Sequence, residues 1–372
     1  MAAKVQSIIN MVEKLAPKYL AEEGDNIGLQ IGDPAAEVYR VLVTLDIDSQ
    51  VVEEAIQEDV DMVVCHHPLI FKPIKNLRFD NPLGRKIAQL IGNSIAVYAA
   101  HTNLDSAKDG INSLLAEKLD LREVEVLAPS SIEKYCKIVV FVPQGYEDQV
   151  RDALAQAGAG WIGNYSHCTF QTAGTGTFKA LEGANPFIGI VGELEKAEEY
   201  RLETIVPERI AAKVVKAMLK AHPYEEVAYD LYPLLNEGPS LGLGRIGKLP
   251  APITLGELVQ QVKATLGLPN VRLGGDLGSK VEKVALCGGS GTFLMHKAAF
   301  KGADVLLTGD VKYHDGQDIL AQGMSFIDAG HNGTERIIVP VLAKYLREKA
   351  AEGKLEVEIV ESRVNTDPFQ TI

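Results

Sequence analysis

The residues best equipped for chemistry in this sequence are His66 and His67, side by side in Cys65-His66-His67-Pro68-Leu69-Ile70-Phe71. They follow an apolar run, Val60-Asp61-Met62-Val63-Val64, that reads as a buried strand, and Pro68 stops it and forces a turn. Neighbouring side chains of an extended chain point to opposite faces. At a strand end the two imidazoles can instead fan out toward two different cations. A His-His pair alone fits equally a hydrogen-bonded core histidine beside an exposed one, so the rest of the chain has to decide.

The rest of the chain supplies a repeated pattern. Val41 to Asp61 and Val284 to Asp304 each span 20 residues, from the onset of one apolar strand to the acid that opens the next. The strand at 94–100 ends in His101, with Asp105 four residues on; the strand at 326–328 is followed by His331, with Glu335 four residues on. Five of the eight histidines (His66, His67, His101, His314, His331) fall in such post-strand loops. Open parallel sheets bind ligands beyond the carboxyl ends of their strands, so two facing lobes would bring these sets into one cleft.

His66, His67, Asp105, His331 and Glu335 are then five candidate metal ligands, with His101 a sixth or a proton shuttle beside them. A single catalytic zinc usually takes three protein ligands. The larger set suits two divalent ions about 3.5–4 Å apart, bridged by a carboxylate, and Glu335 is the choice for the bridge. Nitrogen and oxygen donors without thiolate suit zinc first, with iron or manganese as alternatives. Water held between such ions can attack a carbon or phosphorus centre near neutral pH. Asp25 and Asn26 read as turn formers, and Asp310 and His314 as a solvated loop. Gly288-Gly289-Ser290-Gly291 reads as a tight turn rather than a phosphate cradle, having no Walker lysine.

The elements that must position these groups alternate. Strands at 41–46, 61–65 and 94–100 are separated by helices at 49–56, capped by Ser49, and 83–91, which implies a parallel sheet. An amphipathic helix through Val5, Ile8, Ile9, Val12 and Leu15 precedes them and reads as a helix rather than a signal peptide. From 131 to 236 the rhythm changes to β-α-β-β-α-β, with separate strands at 166–171 and 175–179, a ferredoxin-like pattern. A glycine-rich stretch at 239–247 leads back to the α/β pattern, and a helix begins near Thr334. The fold class is therefore α/β: a first lobe at 1–130, an inserted ferredoxin-like domain at 131–236 and a duplicated second lobe at 237–372.

Composition narrows the functions. A formal charge of −13 disfavours direct nucleic-acid binding and anionic membranes. Four scattered cysteines without CxxC spacing fit a reducing cytoplasm, and Cys65 and Cys287 read as inert core residues. No apolar run approaches the length of a membrane span.

The combination of CHHPLIF, HTNLD, GLGRIG and DAGHNGTE resembles the NGG-one-interacting-factor-three-like family, whose members are also called GTP cyclohydrolase 1 type 2 homologues. The resemblance implies two similar α/β lobes with two metals between them, held by residues matching His66, His67, Asp105, His331 and Glu335. It implies that 131–236 is similar to PII/CutA-type domains, and that the chain assembles as a toroidal homohexamer, a trimer of dimers. Two functions are expected: a metal-dependent hydrolase acting on a nucleotide or related small molecule, or a non-catalytic metal-binding regulator that senses a small-molecule ligand.

Overall fold

The structure is a computed structural model that describes residues 2–370. In chain order the first run is α1 (Val5–Leu15), β1 (Gly28–Ile31), β2 (Arg40–Thr44), α2 (Ser49–Gln57), β3 (Met62–Cys65), α3 (Pro82–Gly92), β4 (Ala96–Ala99), α4 (Thr102–Ser106), α5 (Ile111–Lys118) and β5 (Arg122–Pro143). Next come α6 (Glu147–Ala157), β6 (Phe170–Lys179), β7 (Leu194–Pro207), α7 (Ala211–Ala221) and β8 (Tyr229–Thr254). The last run is α8 (Leu255–Leu266), β9 (Arg272–Gly274), β10 (Lys280–Ser290), α9 (Met295–Phe300), β11 (Val305–Gly309), α10 (Tyr313–Ala321), β12 (Ser325–Asp328), α11 (His331–Glu335), α12 (Ile338–Glu352) and β13 (Glu358–Glu361). These elements form two compact units, Met1–Ser131 with Leu241–Ile372, and Ile132–Ser240.

The larger unit is mixed α/β. One of its sheets has the order β13-β2-β3-β4-β1, parallel except for β1 against β4. In a second, β10, β11 and β12 are parallel in that order, with β9 antiparallel to β12 and β8 antiparallel to β10; Ala3–Lys4 and Glu37–Val38 form a small two-stranded sheet besides. Both central trios carry the chain the same way, and local bonds match. Asp61 Oδ2 accepts from the amides of Tyr39 (2.7 Å) and Arg40 (2.9 Å); Asp304 Oδ2 accepts from those of Glu282 and Lys283 (both 2.8 Å). Each acid thus opens one strand and satisfies the amides that lead into its neighbour.

Alternation along the strands explains the layering. Val41, Val43, Met62, Val64 and Tyr98 share one apolar core with Val284, Leu286, Val305, Leu307 and Ile327 of the other sheet. Helices α1, α5, α8 and α12 fill that layer through Ile8, Leu115, Leu258 and Leu342. The intervening residues Leu42, Val63 and Val97 face outward onto α2 and α3. Strands covered on both faces need near-continuous apolar sequence, which is what β3 and β11 have.

In the Ile132–Ser240 unit, β5, β7 and β6 pair antiparallel in that order, and Phe141 N donates to Ala228 O just ahead of β8. Ile138, Val140, Leu202 and Val206 face α6 and α7 through Val150, Leu154, Val214 and Met218.

Several local expectations are corrected. Asp48, not Ser49, caps α2, its Oδ1 accepting from Val51 N at 2.8 Å. In place of separate strands at 166–171 and 175–179 there is one strand, β6, which begins only at Phe170; of its two glycines Gly176 marks a close side-chain approach, while Gly174 meets no side chain. Gly288-Gly289-Ser290 closes strand β10, and 239–247 lies within β8. No helix among the described residues is long and apolar enough to cross a membrane.

Candidate metal centre

Parallel strands of both sheets end at one place. His66 and His67 leave the end of β3, His101 precedes α4 behind β4, and His331 and Glu335 are the first and last residues of α11 behind β12. The loops expected around 101–105 and 331–335 are thus single short helical turns. An i,i+4 spacing puts two side chains on one face of such a turn, and His331 Nε2 lies 3.1 Å from Glu335 Oε2.

All four rings are held by their Nδ1 atoms. His66 Nδ1 donates to Ala100 O (2.8 Å), His67 Nδ1 to Asp46 Oδ1 (2.7 Å), His101 Nδ1 to Asp25 Oδ1 (2.9 Å) and His331 Nδ1 to Asp310 Oδ2 (2.7 Å). This leaves the lone pair of every Nε2 to face the site, an arrangement found around metals, where an outer carboxylate or carbonyl fixes the imidazole tautomer.

The free atoms converge on Glu335. Its Oε2 lies 3.0 Å from His67 Nε2, and its Oε1 lies 3.8 Å from His66 Nε2, which is 3.9 Å from Asp105 Oδ1. Three donor groups result: His67, His331 and Glu335; His66, Asp105 and Glu335; and His66, His67 and His101. His66 Nε2 and Asp105 Oδ1 are buried without a hydrogen-bond partner, and buried Glu335 Oε2 meets only the Nε2 atoms of His67 and His331. Orphaned buried polar atoms cost about 1–3 kcal/mol each, more when charged, and a divalent cation would satisfy all three. The residues therefore fit such an ion.

Charge points the same way. Burial works against protonation of His67, yet its hydrogen bonds to Asp46 and Glu335 prevail and push it up to about 10. The contact with Glu335 lifts His331 to about 9 against burial. Burial raises Asp105 to about 6, while His66, His331 and His67 overcome burial and hold Glu335 well below the usual carboxylate range. Such shifts ask for protons on Nε2 atoms of His67 and His331 that sit only 3.2 Å apart. Two N–H groups aimed at each other repel, whereas a shared cation attracts both lone pairs.

All six predicted site residues meet here. His314 is solvated as expected but lies in α10 rather than in a loop, where it contacts Gln317 one turn on. Asp310 is not loop filler: it orients His331. Asp25 is not merely a turn former: it holds His101, accepts from the Thr102 amide at 3.1 Å, and stays near 2 because these bonds overcome its burial. Asp46, Asn112 and Gly289 had drawn no functional expectation from sequence. Asn112 links the sheets, donating to Asp105 O (3.0 Å) and accepting from Gly288 N (2.9 Å). Gly289, at φ +60°, leaves the space beside Glu335: a Cβ there would sit 2.2 Å from Oε1. Asp46 and Asp310 did carry a signal, as acids just beyond the ends of parallel strands β2 and β11. Cys65 and Cys287 are buried, which pushes their thiols up, Cys65 to about 12.

The fold and site together define an α/β protein with a candidate His/Asp/Glu metal centre where strands of two sheets end. The chain belongs to the Duf34/NIF3 (NGG1p interacting factor 3) family, whose model matches residues 3–368. It is 49% identical to a GTP cyclohydrolase 1 type 2 homolog of Halalkalibacterium halodurans, over 100% of this chain and 99% of that one. A protein of the same name from Bacillus subtilis is 48% identical over 98% of this chain and 97% of its own. Among solved structures, the Bacillus cereus protein related to NIF3 is similar with a TM-score of 0.93 and 48% identity, each chain covered completely.

Proposed function

We propose that this chain is a dinuclear metal-dependent hydrolase acting on a nucleotide or related small molecule. The observation that carries the reading is Glu335, whose two oxygens face different donor sets, with buried unpartnered atoms in the second. His67, His331 and Oε2 would hold one ion, and His66, Asp105 and Oε1 the other; zinc suits these donors, as do iron and manganese. Bound ions would supply Lewis acidity and lower the pKa of water. The chain's own residues do the rest. Asp25 keeps the Nδ1 proton on His101, so His101 Nε2 is free to accept a proton within the site. Phe71, 61% exposed with its ring centroid 6.2 Å from that of His101, offers a stacking face at the mouth. Lys72 and Lys75 follow it in an exposed loop and suit an anionic aromatic substrate.

The matching strand directions and the paired Asp61 and Asp304 bonds support a duplication, lobes 1–130 and 237–372, as the origin of the two sheets. The β-α-β-β-α-β order of the smaller unit supports a ferredoxin-like, PII/CutA-like insert at 131–236. Exposed apolar side chains such as Phe300 and Leu235 favour a homo-oligomer, read as a toroidal hexamer working in the cytoplasm. Light scattering tests the mass.

Elemental analysis should find about two ions per chain in wild type, about one in Asp105→Asn and close to none in Glu335→Gln. A panel of nucleotides and phosphoesters, GTP among them, should include one that the loaded protein turns over and both variants do not. Equal turnover by metal-free protein, or a full complement of ions in Glu335→Gln, refutes the reading. Full metal content with no turnover favours the alternative, a non-catalytic metal-binding regulator.

A further inference from the structure

We propose that the Ile132–Ser240 unit carries a second ligand site, selective for a small organic cation such as an arylalkylammonium. The site is a cavity of about 380 Å³ within that unit, in the range of small-molecule pockets. Its walls are aromatic: the Tyr224 ring centroid lies 6.0 Å from that of Phe178 and 6.1 Å from that of Phe187. Its one deep polar group is the carboxylate of Glu199, on β7, which is 9% exposed.

The surrounding chain is arranged to keep that carboxylate there. The Tyr224 hydroxyl donates to Glu199 Oε1 at 2.9 Å. Gly174 is the cross-strand partner of Glu199, and Gly176 lies two residues along the same face. A Cβ on Gly176 would sit 2.1 Å from Glu199 Oε2, so the missing side chain of this strand residue is the space the acid occupies. Among the described residues nothing donates a hydrogen bond to Oε2, although Glu199 is nine-tenths buried.

Charge sets the ligand class. Glu225 and Glu226 also line the cavity, and no lysine, arginine or histidine does. Glu225 Oε2 accepts from the amide of Asn185 (2.8 Å), tying the covering segment to the wall. A cavity with three carboxylates, no cation and aromatic faces repels anions and offers a neutral ligand only a hydrogen bond to Oε2 without pairing of opposite charges. An ammonium group gains both a charge-assisted hydrogen bond and contact with ring faces. A metal ion would find one buried carboxylate among rings, too few donors for an oxygen-ligand site. The site shares no residue with the metal centre, and the proposal stands independently of the hydrolase reading.

Calorimetry on the full chain with 2-phenylethylammonium, 2-phenylethanol and phenylacetate tests it without any mutation. The ammonium should bind once per chain and at least tenfold more tightly than the other two. Glu199→Gln should weaken the ammonium at least tenfold, move the alcohol less than twofold and leave metal content unchanged. Tyr224→Phe keeps the ring and the carboxylate, so the ammonium should stay within threefold of wild type. Absence of ammonium binding, binding no tighter than the matched alcohol, or wild-type binding by Glu199→Gln overturns the proposal.

Discussion

Gly289→Ala is the sharpest test of the metal centre, because it adds one methyl group and no charge. The new Cβ would lie 2.2 Å from Glu335 Oε1 and 3.0 Å from His331 Nε2. An ordinary C···O contact is about 3.3 Å, so Oε1 must retreat by about 1 Å. Metal–ligand distances tolerate only about 0.2 Å, so an ion held as proposed by Oε1, His66 and Asp105 should be lost first. Outer-residue changes around metals cost roughly 10–100-fold in affinity; displacing a ligand atom itself should cost at least ~100-fold. Gly289 also sits at φ +60°, where a side chain costs roughly 1–2 kcal/mol. Gly302→Ala separates the two effects: its φ is +72° and nothing lies within 4 Å of its added Cβ. Metal titration by calorimetry, with thermal melts of the metal-free proteins, is the assay. Both variants should melt a few degrees lower, and only Gly289→Ala should lose an ion. If Gly289→Ala binds its full complement within threefold of wild-type affinity, the placement of Glu335 beside Gly289 is wrong as a cradle.

Other expectations follow from the same contacts. Asp310→Asn and Asp46→Asn, which stop a carboxylate from fixing His331 and His67, should each weaken metal binding roughly 10–100-fold by titration. Metal uptake should compete with protons. His67 and His331 are raised to about 10 and about 9 without an ion, so metal affinity should fall as pH drops from about 9 toward 6. Calorimetry in buffers of different ionisation enthalpy should detect at least about one proton released per chain; no release would count against these shifts. The sign for metal-free stability is opposite: the raised histidines contribute fully below about 6.5 and that contribution is lost as pH rises through about 9 to 10. Arg245→Met should cost roughly 2–4 kcal/mol in denaturant melts. The Arg245 guanidinium, lowered to about 10 by burial, donates to Ala107 O, Gly242 O and Gly244 O (each 2.8 Å) and to Ser113 Oγ (3.0 Å).

The sequence disclosed those parts of the site that are periodic or paired. Histidines and acids that recur just beyond apolar strands fall at the carboxyl ends of a parallel sheet as a matter of topology. His66, His67, His101, Asp105, His331 and Glu335 are therefore legible from strand pattern and spacing alone. The groups that hold them are a different kind of fact. Asp25, Asp46 and Asp310 each lie 21 to 76 residues from the histidine they orient, and local sequence makes each look like a turn or strand-end residue. The glycines misled for a related reason. Gly289 reads as a turn and Gly176 as an ordinary strand residue, because a glycine in sequence reports only conformational freedom, while what both supply is space beside a carboxylate contributed by another element. Arg245, inside GLGRIG, shows the same limit from the other side. The motif drew attention, but its role emerges only when the guanidinium is seen reaching Ala107, two residues past Asp105, and thereby bracing the turn that delivers one acid to the centre. Donor type and spacing can be read along the chain; the distance between a ligand and its support is set by which strands lie side by side, and that is decided by packing across the whole unit.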